Sequence, residues 1–302
     1  MQLSLFDDNR TTVLLHIADE FISSRDLTRA LSVYDEILLN TPGDEKVAAL
    51  RETVGAWVDP LTEIGNGSAS VELLKAVWTR FDTISLPSLC SVALDLLIEE
   101  MSALPCPERI FTPPRFHLGQ MLLEARRFEE AADCFLSALA HPGIPLGAFL
   151  AWHGDALTLA GRESAALESY LSAFLEDPFT VDLCSIRSGT IRDLHLSLQV
   201  DAGEEIDENE EAAWFPVWGW LDGPFPLRRD TGGDGPDAAA FELHLEEAGL
   251  PLPSIWYRML AYAEGLRLGG GEPRELGAVR RLLKRTNGFM FACYLEKING
   301  RR

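Results

Sequence analysis

The chain has 302 residues, is 47% hydrophobic and 24% charged, and carries a formal net charge of −21. That length suffices for one long array or two domain cores, and the apolar content excludes a disordered or collagen-like chain. No apolar run approaches the ~20 residues that span a bilayer, and so acidic a body repels phosphate backbones, so neither a membrane nor a nucleic acid is expected to bind the body directly.

The N-terminal segment MQLSLFDDNR lacks the basic stretch and long apolar run of a secretory signal. The five cysteines are odd in number and form no C-x-x-C pair. Cys134 and Cys184 sit among apolar residues, so buried free thiols in a reducing compartment fit this usage, and a cytoplasmic location is expected.

In chain order, helical spacing predicts a first pair over 11–24 and 27–40, with Arg25-Asp26 at the turn. Thr41-Pro42-Gly43-Asp44 breaks the pattern. An amphipathic stretch over 45–58 is expected to end at Asp59-Pro60. Helices over 70–82 and 87–103 follow, with Ser85 as candidate cap and Pro87 in the first turn. Three helices there leave strict pairing unresolved. Pro105, Pro107, Pro113 and Pro114 mark a rigid joint. Helix pairs are expected over 115–140 and 146–176, and a further helix over 187–200.

Residues 201–211 hold seven acids in eleven positions, which predicts a mobile, solvated run and a boundary at 206/207. In 214–226, Trp214, Trp218 and Trp220 stand among Pro and Gly that interrupt periodicity. This cluster either seals one domain of the chain against the other or offers an aromatic contact surface. Helices return over 238–248, 253–267, 274–285 and 288–298. Residues 274–302 hold eight Lys/Arg against two Glu, hence +6 and −27 for the rest. That tail is read as a solvated helix face pairing with the acidic body, with nucleic-acid contact as its alternative.

Residues 112–180 carry one pattern twice, 35 residues apart. Leu118-Gly119 is matched by His153-Gly154, Glu130-Ala131 by Ala165-Ala166, Phe135 by Tyr170 and Ala138 by Ala173, and Pro178 closes the second unit. Ala18, Phe21, Ala30, Tyr34, Ile37 and Pro42 repeat the register near the N-terminus. A fixed period of this length belongs to stacked helix-turn-helix units. Gly or Ala lets antiparallel helices approach closely, the aromatic fills the adjoining gap, and Pro ends the second helix. The pattern resembles the tetratricopeptide repeat. The resemblance covers about a third of the chain directly, and residues 45–111 depart from it, with Glu52 and Ile64 in slots for small residues.

The resemblance implies an all-α fold: a repeat domain over 1–206, then a helical, non-repeat region over 207–302. It also implies that first-helix side chains line a concave face, which here means Leu15, Asp19, Phe116, Gln120, Ala151 and Asp155. Cations are absent from that set, so an apolar or basic protein or peptide is the expected partner rather than an acidic one. Packing of these residues against the chain itself is the alternative.

Chemistry-bearing motifs are scarce. The six histidines form no metal-ligand spacing, His153 falls in a packing slot, and no nucleotide or nucleophile fingerprint is present. No catalytic residue, metal ligand or cofactor is assigned. Gln2-Leu3-Ser4-Leu5-Phe6 resembles the short peptide by which bacterial replication and repair proteins dock on the DNA polymerase sliding clamp. There Gln2 would hydrogen-bond the pocket while Leu3, Leu5 and Phe6 fill apolar subsites; stapling of the first helix to the core is the competing use. The expected function is a non-catalytic adaptor holding a protein partner. A clamp-docking factor in replication or repair is the second reading, and an enzyme with a site in 207–302 the third.

Overall fold

A computed structural model describes residues 2–67, 69–228, 237–246 and 251–300, with side chains from Arg10 onward and that of residue 246 left out. The described residues form fifteen α-helices, and their only extended pairing is an isolated antiparallel bridge between Thr112 and Phe116. The chain divides into two compact units, 1–134 and 135–302, and the dividing line falls within α7 (Phe128–Ala138). This line lies well before the acidic run.

The first unit holds α1 (Gln2–Ser23), α2 (Leu27–Asn40), α3 (Glu45–Ile64), α4 (Val71–Arg80), α5 (Pro87–Ala103) and α6 (Leu118–Glu124). Its helices start where short polar side chains satisfy free backbone donors. Asp26 accepts from Arg29 N, Asp44 from Lys46 N and Val47 N, and Ser70 from Leu73 N. Ser85 does not cap α5. Leu86 holds that position without a side-chain bond, and Pro87 presets the first turn. Helix α3 runs through Pro60 to Ile64, beyond its expected end. A mid-helix proline costs about 3 kcal/mol. Leu61 and Ile64, both buried beyond it, each return about 1.5–3 kcal/mol, so packing outweighs the missing bond.

Helix α1 packs on α2, α2 on α3, α3 on α5, and α5 back on α1. The four close a ring, and α4 and α6 also rest on α5. This accounts for the odd helix between the clear repeats. Helix α5 is not half of a pair but the centre of the unit, with Leu89, Val92, Ala93, Leu94, Leu96, Leu97, Ile98 and Met101 buried around most of its circumference.

The second unit begins within α7 and continues with α8 (Leu146–Leu159), α9 (Glu163–Glu176), α10 (Gly189–Ala202) and α11 (Glu211–Asp222). After these come α12 (Ala238–Glu246), α13 (Leu252–Gly269), α14 (Pro273–Thr286) and α15 (Gly288–Ile298). Helices α8 and α9 form a tight antiparallel pair. A Cβ on Gly154 would stand 2.8 Å from the Tyr170 ring, so the small residue there is what lets the helices meet. Ala30, Ala131 and Ala166, all in the small-residue slots, are fully buried.

Helix α11 packs on α9, α10, α13 and α15. It is buried from Ala212 to Gly219 and continues through Pro216. Surrounded on all sides, it needs no polar face, which is why its sequence shows no helical period. The acidic run before it covers the end of α10, a turn and a short 3-10 segment, Glu208–Glu210. Asp201, Glu204, Glu205, Asp207 and Glu208 are exposed, while Ala202 and Ile206 are buried between them.

Candidate interaction site

Of the residues assigned to the concave face, Gln120 has the most informative surroundings. It lies on α6, is 4% exposed, and its Nε2 has no hydrogen-bond partner. A buried amide donor left unsatisfied costs about 1–3 kcal/mol. Gln120 lines a cleft of about 230 Å³ together with Lys75, Trp78 and Thr79 of α4, Asp82 beyond it, the segment Pro113–Phe116, and Glu124.

Two local structures build the walls. Trp78 and Phe81, one helical turn apart, stack with ring centroids 5.4 Å apart and planes 14° from parallel. On the other side Thr112 and Phe116 exchange two backbone hydrogen bonds of 3.0 Å, which closes the turn holding Pro113 and Pro114. That peptide bond is cis. Phe116 is buried and Trp78 half-buried. Lys75 and Arg115 face Asp82 and Glu124 around the rim, two charges of each sign. The cations come from residues outside the six concave positions, so the rim is balanced rather than acidic.

Helix α6 is anchored by His117. Its Nδ1 accepts from Gly119 N at 3.0 Å, which fixes the proton on Nε2, and Nε2 donates to the Glu108 carbonyl at 3.1 Å. Burial holds its pKa down at about 4, against 6.5 ordinarily, with the Glu108 carbonyl opposing the shift. The ring is thus a neutral helix cap beside the cleft. Burial likewise pushes the nearby Cys134 thiol up to about 12, so it is an unreactive thiol.

Apart from Phe116, which lines the same cleft, the other assigned residues do not join Gln120 in one site. Asp19 is exposed on α1, and its charge assists burial in raising the pKa of Tyr34. Asp155 is 3% exposed inside the second unit, where it accepts from the Tyr170 hydroxyl at 2.6 Å and from Arg187 N at 2.7 Å. It serves the packing of α9 and of the segment after it. Gln2, Leu3, Leu5 and Phe6 fall on the first turns of α1, and their side chains lie outside the described residues.

Sequence reasoning missed Trp78, Lys75 and Asp82, since α4 lies in the stretch that departs from the repeat. The available signal was the Trp78–Phe81 spacing. It also missed a buried group in the second unit. Glu264, 3% exposed, accepts from Arg267 Nε and Nη2 at 2.8 and 2.7 Å and from Tyr294 Oη at 2.8 Å. Arg280 donates to the same hydroxyl at 3.1 Å. Burial opposes ionisation of Glu264, but these donors prevail and hold its pKa below the usual carboxylate value.

The three tryptophans of the 214–220 cluster are interior. Trp214 meets Trp256 edge-on at 6.0 Å, Trp218 donates to Ser197 Oγ at 2.8 Å, and only Trp220 is partly open. His153 donates from Nδ1 to Ser169 Oγ, which in turn donates to the Leu150 carbonyl, so it joins α8 to α9 as a packing residue. Among the described residues no group of three or more His, Cys, Asp or Glu is placed to hold a metal ion, and no helix is long and apolar enough to cross a membrane. Comparison of the chain with protein-family models, with curated proteins and with solved structures finds no match.

Proposed function

We propose that the protein is a non-catalytic adaptor of tetratricopeptide-repeat type, cytoplasmic, that holds a protein or peptide partner on its helical surface. The observation that carries this reading is the pair α8–α9, where Gly154 meets Tyr170 and Ala166 is buried at the positions the repeat requires. Gln120, one of the positions such units turn to a ligand, lines a cleft. Polar groups elsewhere in the interior, such as Asp155, Tyr170 and His153, are taken up in holding helices together. The test is affinity capture with the full chain as bait, followed by sizing of the isolated complex. A single protein recovered in fixed stoichiometry supports the reading. Recovery of none, or turnover of a small molecule by the purified chain, counts against it.

A second reading is docking on the sliding clamp of DNA polymerase. Two observations favour it: the sequence Gln2-Leu3-Ser4-Leu5-Phe6, and the fact that the described part of α1 buries no residue before Ala18. Purified clamp is expected to bind the chain at roughly micromolar Kd, and Phe6→Ala is expected to abolish binding while leaving the melting temperature unchanged. A fall in melting temperature with no binding by the parent chain assigns these residues to packing instead.

A further inference from the structure

We infer that the Gln120 cleft binds an uncharged, extended stretch of a partner polypeptide, with a main-chain carbonyl accepting from the Gln120 amide and an apolar side chain resting between Trp78 and Phe116. The inference deepens the adaptor reading and rests on it.

Three observations, with one general property of the glutamine side chain, select this ligand. The Gln120 Nε2 donor is buried and unpartnered, so a ligand that supplies an acceptor gains a bond without breaking one. The torsion that carries the amide is soft, so the amide can turn toward the cleft at little cost. The walls are set before binding, Trp78 by its stack on Phe81 and Phe116 by its paired bonds to Thr112, so few groups need ordering. The rim holds Lys75 and Arg115 against Asp82 and Glu124, which favours a ligand of no net charge. Arg115 and Glu124 already take part in other interactions and are not needed as ligand contacts.

Size then decides between a small molecule and a chain. The volume of about 230 Å³ is below the roughly 300–1,000 Å³ usual for drug-sized ligands. It suits one or two side chains with the backbone passing over them. A polypeptide supplies carbonyl acceptors and apolar side chains in regular alternation, which is the combination that one buried amide between two aromatic walls selects.

The test uses the full chain and the neutral capped dipeptide N-acetyl-Phe-Leu-amide, with its free-acid form and toluene as comparisons. Binding is followed by the side-chain amide proton signal of Gln120, assigned by its disappearance in Gln120→Glu. The expected result is a saturable shift with the amide, at least threefold weaker binding of the acid, and no amide shift with toluene. Gln120→Leu keeps the bulk and removes the stranded donor. It should raise the melting temperature while weakening the dipeptide at least tenfold, and Trp78→Ala should weaken it comparably. Three results overturn the inference: no shift at millimolar dipeptide, unchanged affinity in Gln120→Leu, or a lower melting temperature in that variant, which would mean the amide is already satisfied. If capture of a protein partner persists undiminished in Gln120→Leu, the adaptor reading stands and the cleft is not its site.

Discussion

His117 couples the anchoring of α6 to pH. Its pKa falls from 6.5 to about 4 on folding, so between these values the unfolded chain binds the extra proton. The stability the neutral ring contributes is complete above pH 6.5 and is lost as pH falls toward 4, a change of about 3 kcal/mol. Denaturant titrations across this window should show that slope. His117→Asn, which can still cap the helix but does not titrate, should remove most of it, leaving the part due to carboxylates. At Gly154 the consequence is steric. Gly154→Ala gains about 1 kcal/mol in helix propensity but drives a methyl into the Tyr170 ring, which the bond to Asp155 pins. Overpacking costs about 1–3 kcal/mol, so equilibrium unfolding should show a net loss of stability.

At the scale of elements, the helix starts carry separable contributions. Asp44 bonds two backbone donors of α3, so Asp44→Ala should cost about 0.5–2 kcal/mol, while Asp44→Ser should recover most of it, both read from the denaturation midpoint. Helix extent was legible wherever one face is apolar. Expected and observed spans agree closely for α2, α5, α13, α14 and α15. They part at the start of α1, which begins at Gln2 rather than at residue 11, at Pro60 and in α11, and for the last two the cause is shared. Proline marks a helix end only when nothing beyond it is worth burying, and Leu61, Ile64, Trp218 and Leu221 are all buried beyond theirs. In the second unit Gly219 has a packing role. Its missing side chain leaves room for Phe225, whose ring lies 2.3 Å from where a Cβ would stand. Gly219→Ala should therefore destabilise more than Gly265→Ala, whose added methyl meets nothing within 4 Å. Thermal unfolding of the two variants side by side checks the difference.

For the whole molecule, charge is the dominant long-range term. With a net charge of −21, self-repulsion opposes the compact state. Pairs such as Arg10–Glu36, Arg25–Glu99 and Arg285–Glu242 are exposed and contribute little each. Raising sodium chloride from about 10 to 300 mM shortens the screening length from about 30 Å to under 8 Å. The melting temperature should rise over that range, since like charges far outnumber the pairs that salt weakens. A falling melting temperature would show that the specific pairs dominate instead.

The helical class, most helix positions and the small residues at the crossings were legible in the chain alone. These follow from periodicity and from steric need, both local properties of the chain. The sequence also named Gln120, because the repeat register assigns a direction to each first-helix residue. Which of the assigned residues remain open to a ligand depends on packing between distant segments. Asp155 and Gln120 stand in equivalent slots, yet Tyr170 and Arg187 take up the first while the second is left with an unpartnered donor. Tertiary packing likewise closed α1, α2, α3 and α5 into a ring, folded the acidic run around Ala202 and Ile206, and set Trp78 and Phe116 in the lining of one cleft. Each of these depends on burial between residues distant in sequence. Burial is set by which surfaces find each other, and no local spacing encodes that.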